Sequence, residues 1–254
     1  FTIAKCNYKN KLLDPINILK ILHNKLLFRK LLKEINYYDL KYPKNSKIKF
    51  PILLKPKNRS TGRGIKLINN KNELEKIKKK YSSKEFFLEE YVIGSDHGVF
   101  TLVQNKKIIF SFFDTEQRFI NPYLVSSTIS CTNIPKKIKD KFLCDANLFI
   151  KKKNLVDGIL HYQVKYNRTK KKIYIIEVTR RMPGDMYLKF AEISTGYPIT
   201  KNLVNIYERK KIKENTIQTQ NYVIRKMLIA KKNGEFQKFS INKNLKKKII
   251  LKKY

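Results

Sequence analysis

The sequence contains no tryptophan, only eight glycines, eight prolines, three cysteines and three histidines, and 20 acidic residues against 57 basic ones. Each shortage excludes something. Cys6, Cys131 and Cys144 are odd in number and follow no metal-ligand spacing, so reduced, structural thiols in a cytoplasmic protein are expected. His23, His97 and His161 do not cluster either, which leaves little basis for a zinc site. No apolar run approaches the length needed to cross a bilayer, no charged-then-apolar leader opens the chain, and no internal repeat is present. The chain starts at Phe1 without an initiator methionine and reads as a fragment.

The shortage of acids leaves a formal net charge of +37, a field that attracts polyanions. The charge is nearly all lysine, however, scattered from Lys5 to Lys253. Arginine, the residue that reads guanine edges with two hydrogen bonds, stands at only nine positions. Abundant Lys, Asn, Ile, Tyr and Phe with few Ala, Gly and Pro is the imprint of AT-rich coding, and nucleic acid is not expected as a partner. With 254 residues, 42% of them hydrophobic, the chain can bury the core of one large domain or of two small ones sharing an interface.

Apolar residues recur at helical spacing from Asn17 to Asn36 (Ile18, Ile21, Leu22, Leu26, Leu27, Leu31, Leu32), which predicts one helix after Asp14-Pro15. A strand over Phe50–Lys55, a loop over Pro56–Gly64 and a returning strand over Ile65–Ile68 follow, then a charged helix over Asn72–Tyr81. Further strands are predicted over Glu85–Val92, Val99–Val103, Ile108–Phe113, His161–Tyr166 and Ile173–Val178. Helices are predicted over Lys136–Lys153 and Met186–Thr195, the second stopped by Gly196, and the tail from Tyr222 is predicted to hold two more strands about Asn233-Gly234. Antiparallel pairs flanked by helices define an α+β fold.

The segment Ile173–Asp185 runs an apolar strand into Glu177 and then Arg180, Arg181 and a Pro-Gly turn. A strand ending in an acid and then bases costs desolvation unless the charges have partners. A divalent metal held against phosphate oxygens would supply them, and a strand end with a solvated Glu–Arg pair fits the segment equally well. Pro51–Gly64 puts Lys55 at the end of a buried strand, followed by a loop with Ser60, Thr61, Gly62 and Gly64 whose backbone can approach an anion. It lacks the Gly-Lys-Ser/Thr of a P-loop, and a hairpin with a long polar tip is the alternative. Phe86–Gly94 is an apolar strand carrying Glu89 and Glu90, with His97 beyond it. Such acids and the histidine suit an adenine amino group and a ribose. Arg118, in Phe113–Tyr123, is a candidate clamp for a substrate carboxylate, or part of a surface hairpin exit.

The order Asn24-Lys25-Leu-Leu-Phe-Arg29, Pro51-x-x-x-Lys55 with its glycine loop, Leu88-Glu-Glu-Tyr-Val-x-Gly94 and Ile176-Glu-Val-x-x-Arg181 resembles the ATP-grasp superfamily. It is most similar to the carboxylate–amine ligase and biotin-carboxylase-like branch, over about Leu22 to Pro198. The resemblance implies two α+β subdomains, over 17–93 and 94–210, gripping ATP and magnesium. The end of a preceding domain would occupy 1–16 and a β-rich extension 211–254. It implies that Lys25 and Lys55 contact the phosphates and that Ser60 to Gly64 cover them. Glu89 and Glu90 with the backbone near Val92 would read adenine, and His97 the ribose. Glu177 would ligate the metal and Arg181 would face the transferred phosphate, with Asp185, Lys189, Glu192 and Ser194-Thr-Gly196 on the substrate side.

Gln163 stands where the family usually has a second metal-binding glutamate, and Thr179 where it commonly has asparagine. An amide brings no charge and hard cations favour carboxylates, so one or two ions held by Glu177, Gln163 and Thr179 are expected, the second more weakly, with Asp157 and Asp185 as other donors. The activity implied is ATP-dependent activation of a carboxylate as an acyl phosphate for attack by an amine. Bicarbonate activation of the biotin-carboxylase type, or a non-catalytic nucleic-acid binder on a degenerate version of the fold, are the alternatives. Small-molecule partners, no membrane and room for a homodimer complete the expectations.

Overall fold

A computed structural model describes residues 13–34, 48–58, 62–119, 121–212, 221–228, 233–235, 238 and 240–249. The helix predicted from Asn17 is two: α1 (Ile16–His23) and α2 (Lys25–Glu34). Asn24 divides them. Its backbone is extended (φ −92°, ψ 109°), and its Oδ1 accepts from the amides of Leu26 at 3.1 Å and Leu27 at 3.0 Å. The amide side chain thus caps α2 and competes with continuation of α1.

A small sheet follows, in the order β2-β1-β3, all antiparallel: β1 (Ile52–Pro56), β2 (Lys66–Ile68) and β3 (Phe86–Glu90). Every residue of β1 is buried, as expected for a central strand covered on both faces. On one face Ile52, Leu54, Ile68 and Phe86 pack with Leu74 and Ile77 of α3 (Lys71–Lys80), which Asn70 caps by accepting from the Glu73 amide at 2.9 Å. The chain then crosses to the large sheet through Tyr91–Gly94. There Gly94 passes so close to the Tyr166 carbonyl that a Cβ would sit 2.5 Å from its oxygen.

The large sheet runs β10-β7-β6-β4-β8-β9, with β5 beside β4: β4 (Ser95–Gln104), β5 (Lys107–Phe113), β6 (Thr115–Gln117), β7 (Ser127–Ile129), β8 (Gly158–Asn167), β9 (Lys172–Thr179) and β10 (Ile224–Lys226). All its pairings are antiparallel. One face presents Val99, Val103, Leu160, Tyr162 and Val164 to Phe142, Ala146 and Phe149 of α4 (Lys136–Lys152) and to Leu31 and Leu32 of α2. On the other face Phe100, Leu102, Phe110, Phe112 and Ile159 pack under α5 (Tyr187–Thr195) and α6 (Ile199–Tyr207), where Phe110 stacks on Tyr197 at 4.2 Å. The remainder of that second face is polar.

The α+β architecture is as the sequence implies. The patterning misses β6, β7 and α6. The two strands are three residues each and polar at most positions, so they carry no apolar alternation and are set by their neighbours' ladders. Of the two strands expected from Tyr222 about the Asn233-Gly234 turn, the first is β10 (Ile224–Lys226); beyond the turn the described residues form helix α7 (Lys243–Lys246) and no strand. No helix among the described residues is long and apolar enough to cross a membrane.

Candidate active site

Helix α2 runs between the two sheets, and its cations pin it to both. Lys25 Nζ lies 3.8 Å from Glu177 Oε2 on β9. One turn on, Arg29 is 1% exposed; its Nε donates to Glu89 Oε2 at 2.8 Å and its Nη2 to the Ile176 carbonyl at 2.6 Å. Lys55, on the β1 residue paired with Phe87, reaches the other Glu89 oxygen at 2.5 Å. Two cations and one anion are therefore buried together with a net positive charge beside the partly exposed Glu177. Burial alone would raise the Glu89 carboxyl, but the charges and hydrogen bonds of Arg29 and Lys55 hold it at about 2. Burial lowers the Lys55 ammonium below its ordinary value, with Glu89 opposing and Arg29 and Lys25 adding to the fall.

The polar half of the large-sheet face follows from strand alternation. Side chains at β4 positions 96, 98 and 100 share a face with their partners across the ladders. One row runs Arg225, Thr128, Glu116, Asp96 and Lys165 from β10 to β8. In the next, Gly98 pairs with Gln163, which pairs with Glu177. In the third, Phe100 pairs with His161, which pairs with Thr179. Gly98 has no side chain because Asp114 lies there: a Cβ would meet Asp114 Oδ2 at 2.6 Å. The Asp114 carboxylate accepts from the Gly98 amide at 3.0 Å and from the Tyr187 hydroxyl. Burial raises both Asp114 and Glu116 above the usual carboxylate range, against the pull of the Tyr187 hydroxyl on the first and of Arg118 on the second.

The residues singled out in the sequence separate into three groups. Lys25, Lys55, Glu177 and Gln163 converge as described, with Thr179 two positions beyond Glu177 on the same face of β9. Val92 is buried against Tyr174 and Ile176 beside the hinge, and Glu90 is half-buried at the end of β3. Gly62 and Gly64 adopt left-handed φ of 69° and 81°, the first where a Cβ would strike the Tyr123 side chain; Ser60 and Thr61 lie outside the described residues. Arg181 is exposed and makes one hydrogen bond, to the adjacent Met182 carbonyl, which leaves its guanidinium open to an anion.

Three assignments change. His97 is fully buried on the opposite face of β4, its Nε2 2.7 Å from Ser95 Oγ and its Nδ1 2.8 Å from the Asp114 carbonyl, so it does not face a ribose. Glu89 is 1% exposed and its two oxygens are paired with Arg29 and Lys55, so its carboxylate is turned into the fold rather than toward an adenine amino group. Arg118 is not free to clamp a substrate carboxylate: Asp96 at 2.6 Å and Glu116 at 2.7 Å take its charge. Asp185 is exposed on a left-handed turn (φ 57°), with its carbonyl accepting from Arg225 at 3.1 Å. Sequence reasoning did not separate Asp96 from His97: Asp96 lies on the other face of β4, paired with Arg118 and, at 3.0 Å, with Lys165. The parity of β4, with Val99 and Val103 inward, carried that signal.

The resemblance implies a divalent ion, and the donors at this site are few. Among the described residues no three His, Cys, Asp or Glu side chains converge, so an all-protein cage is excluded there. Glu177 beside Gln163, next to buried positive charge, suits magnesium, which is held by one or two carboxylates and completed by phosphate oxygens and water.

The comparisons with known proteins establish the family and the fold. The family model of the ATP-grasp domain matches residues 48–189, more than half of the chain. The chain belongs to that family. Among solved structures it is similar to the L-amino acid ligase of Bacillus licheniformis (TM-score 0.68, 17% identity, covering 88% of this chain and 58% of that one). It is also similar to the biotin carboxylase of Campylobacter jejuni in a complex titled with β,γ-ATP (TM-score 0.69, 14% identity, 88% and 54%). A third is N5-carboxyaminoimidazole synthetase of Staphylococcus aureus complexed with ADP (TM-score 0.67, 16% identity, 83% and 58%). The chain thus spans a little over half the length of each, and at these identities the likeness is one of fold. No curated protein sequence matches the chain.

Proposed function

We propose that this chain carries the nucleotide site of an ATP- and magnesium-dependent ligase that activates a carboxylate as an acyl phosphate for attack by an amine. The observation behind this reading is the convergence of Lys25, Lys55 and Glu177 from three elements, Lys25 near both of the others, with the exposed Arg181 four residues beyond Glu177. The buried Lys55 and Arg29 leave excess positive charge where a polyphosphate would bind, and the low-dielectric surroundings strengthen that attraction. The adenine would then be read by the backbone between Glu89 and Val92. A magnesium ion held by Glu177 and Gln163, with Thr179 in reach, would neutralise charge on the transferring phosphoryl group.

In the first step a carboxylate oxygen attacks the γ-phosphorus and the bond to the ADP oxygen breaks. Lys25 and Lys55 hold the β- and γ-phosphates, and Arg181 offsets charge on the equatorial oxygens. In the second, the amine nitrogen attacks the acyl carbon, the carbon–oxygen bond to phosphate breaks, and phosphate leaves as the amine loses a proton. The loop through Gly62 and Gly64 would cover the phosphates and exclude water from the intermediate.

Hydroxylamine is a small amine that intercepts acyl phosphates as hydroxamates, and it tests this chemistry without knowledge of the natural acceptor. With magnesium, ATP and a panel of carboxylic acids, the wild type should form a hydroxamate and ADP in equal amounts. Arg181→Ala should lose about 100-fold or more in rate, the usual cost of removing one group that stabilises transition-state charge. ADP formation independent of every carboxylate would contradict the proposal.

A further inference from the structure

Arg29 is the only residue whose side chain joins all three walls of the cleft among the described residues. It stands on α2 four residues after Lys25, so the two side chains share one helix face. Its Nε donates to Glu89 of the small sheet and its Nη2 to the carbonyl of Ile176, the residue before Glu177 on the large sheet. Through Glu89 it also fixes Lys55, since the two cations divide the two carboxylate oxygens. Its Nη1 has no hydrogen-bond partner, so the fold does not fully offset the guanidinium's charge.

We propose that Arg29 is a positioning residue for the phosphate site. It holds the Lys55 ammonium against Glu89 and sets the spacing between the small sheet and the strand bearing Glu177. The proposal rests on the nucleotide-site reading above and concerns a residue that adds charge to that site without touching the nucleotide. Only arginine meets the geometry. Its planar fork serves a carboxylate and a carbonyl at once, and it tolerates burial better than a strongly hydrated ammonium. The charged groups facing Lys55 are Glu89 from β3 and Arg29 and Lys25 from α2. Removing Arg29 deletes one repulsive neighbour, so the ammonium should hold its proton to higher pH even while the site loses its spacing.

The test uses the full chain as wild type, Arg29→Met and Arg29→Lys, each checked for native melting. The Lys55 titration is followed by the 13Cε resonance of labelled lysine, assigned by its loss in Lys55→Met, and MgATP affinity is measured separately by calorimetry. In Arg29→Met the Lys55 midpoint should rise while MgATP affinity falls about tenfold, the worth of one lost charged hydrogen bond. Arg29→Lys, which retains a cation but cannot serve both acceptors, should keep the midpoint near the wild-type value and still bind MgATP about tenfold more weakly. An unmoved Lys55 midpoint in folded Arg29→Met would overturn the proposal even if affinity fell, because a merely structural arginine would give that result. If Arg29→Met does not fold, wild-type affinity in Arg29→Lys overturns it. A wild type that binds no MgATP refutes the nucleotide reading instead, and the Lys55 titration still decides the role of Arg29.

Discussion

Arg180 and Arg181 are neighbours in sequence with opposite surroundings. Arg180 donates to Asp14 at 2.5 Å and to the carbonyls of Ile159 at 2.5 Å and Val156 at 2.6 Å, which fastens the start of α1 to the β8–β9 end of the sheet. Arg181, one residue further past the strand, is left for an anion. His161 shows the same dependence on surroundings. It is 8% exposed, its Nε2 has no partner, and its ring packs edge-on to Tyr187 at 5.2 Å. Burial, with Arg225 and Arg181 nearby, drops its imidazole to about 3. A base whose pKa is depressed by folding favours the native state above its unfolded value of about 6.5, and that contribution drains away as pH falls toward 3. His161→Phe, which keeps an aromatic ring, should therefore lose less stability than the wild type between about pH 7 and about pH 4, by up to about 1.4 kcal/mol per pH unit. Urea unfolding across that range measures the difference, and parallel curves would refute the assignment. At this scale the sequence was a partial guide. Lys25, Lys55 and Glu177 were singled out because their motifs fix type and order, and the structure brings them near one another. The inward placement of His97 was not legible, because it and Asp96 are both polar and only the inward parity of Val99 and Val103 separates them.

Elements were legible where apolar spacing is long and regular, as in α4 and the β8–β9 hairpin. They failed where one polar side chain decides the outcome. Asn24 lies within an unbroken helical pattern, yet its carbonyl oxygen captures two amides and ends α1. The break also has a use. It makes Lys25 the first residue of a new helix, whose amide donates to the Lys57 carbonyl at 2.9 Å, tying the lysine to the loop that follows β1. On β4, Gly98 is the position where the strand yields its side chain to Asp114. Gly98→Ala should cost about 1–3 kcal/mol, because the carboxylate is held by the Gly98 amide and the Tyr187 hydroxyl and cannot retreat without stranding one of them. A drop in the urea midpoint at unchanged slope is the expected result, and an unchanged midpoint would show that Asp114 is freer than drawn.

At the scale of the molecule, two sheets of unequal size face one another across α2, and the hinge at Tyr91–Gly94 carries the chain between them. Asn167 Nδ2 donates to the Ile93 carbonyl at 2.9 Å and fastens that hinge to the large sheet. The +37 charge is spread over surface lysines, while the charges that build the cleft are few, buried and paired in a set order. That separation explains why composition alone pointed toward polyanions in general and motif order pointed toward one nucleotide. The central claim is that Glu177, Lys25 and Lys55 bind ATP through magnesium. Calorimetry of ATP with and without magnesium, on the wild type and on Glu177→Ala, tests it most directly. The account predicts saturable one-to-one binding that needs magnesium in the wild type and is lost in a folded Glu177→Ala. Equal binding by both proteins, or no binding by a folded wild type, would contradict it.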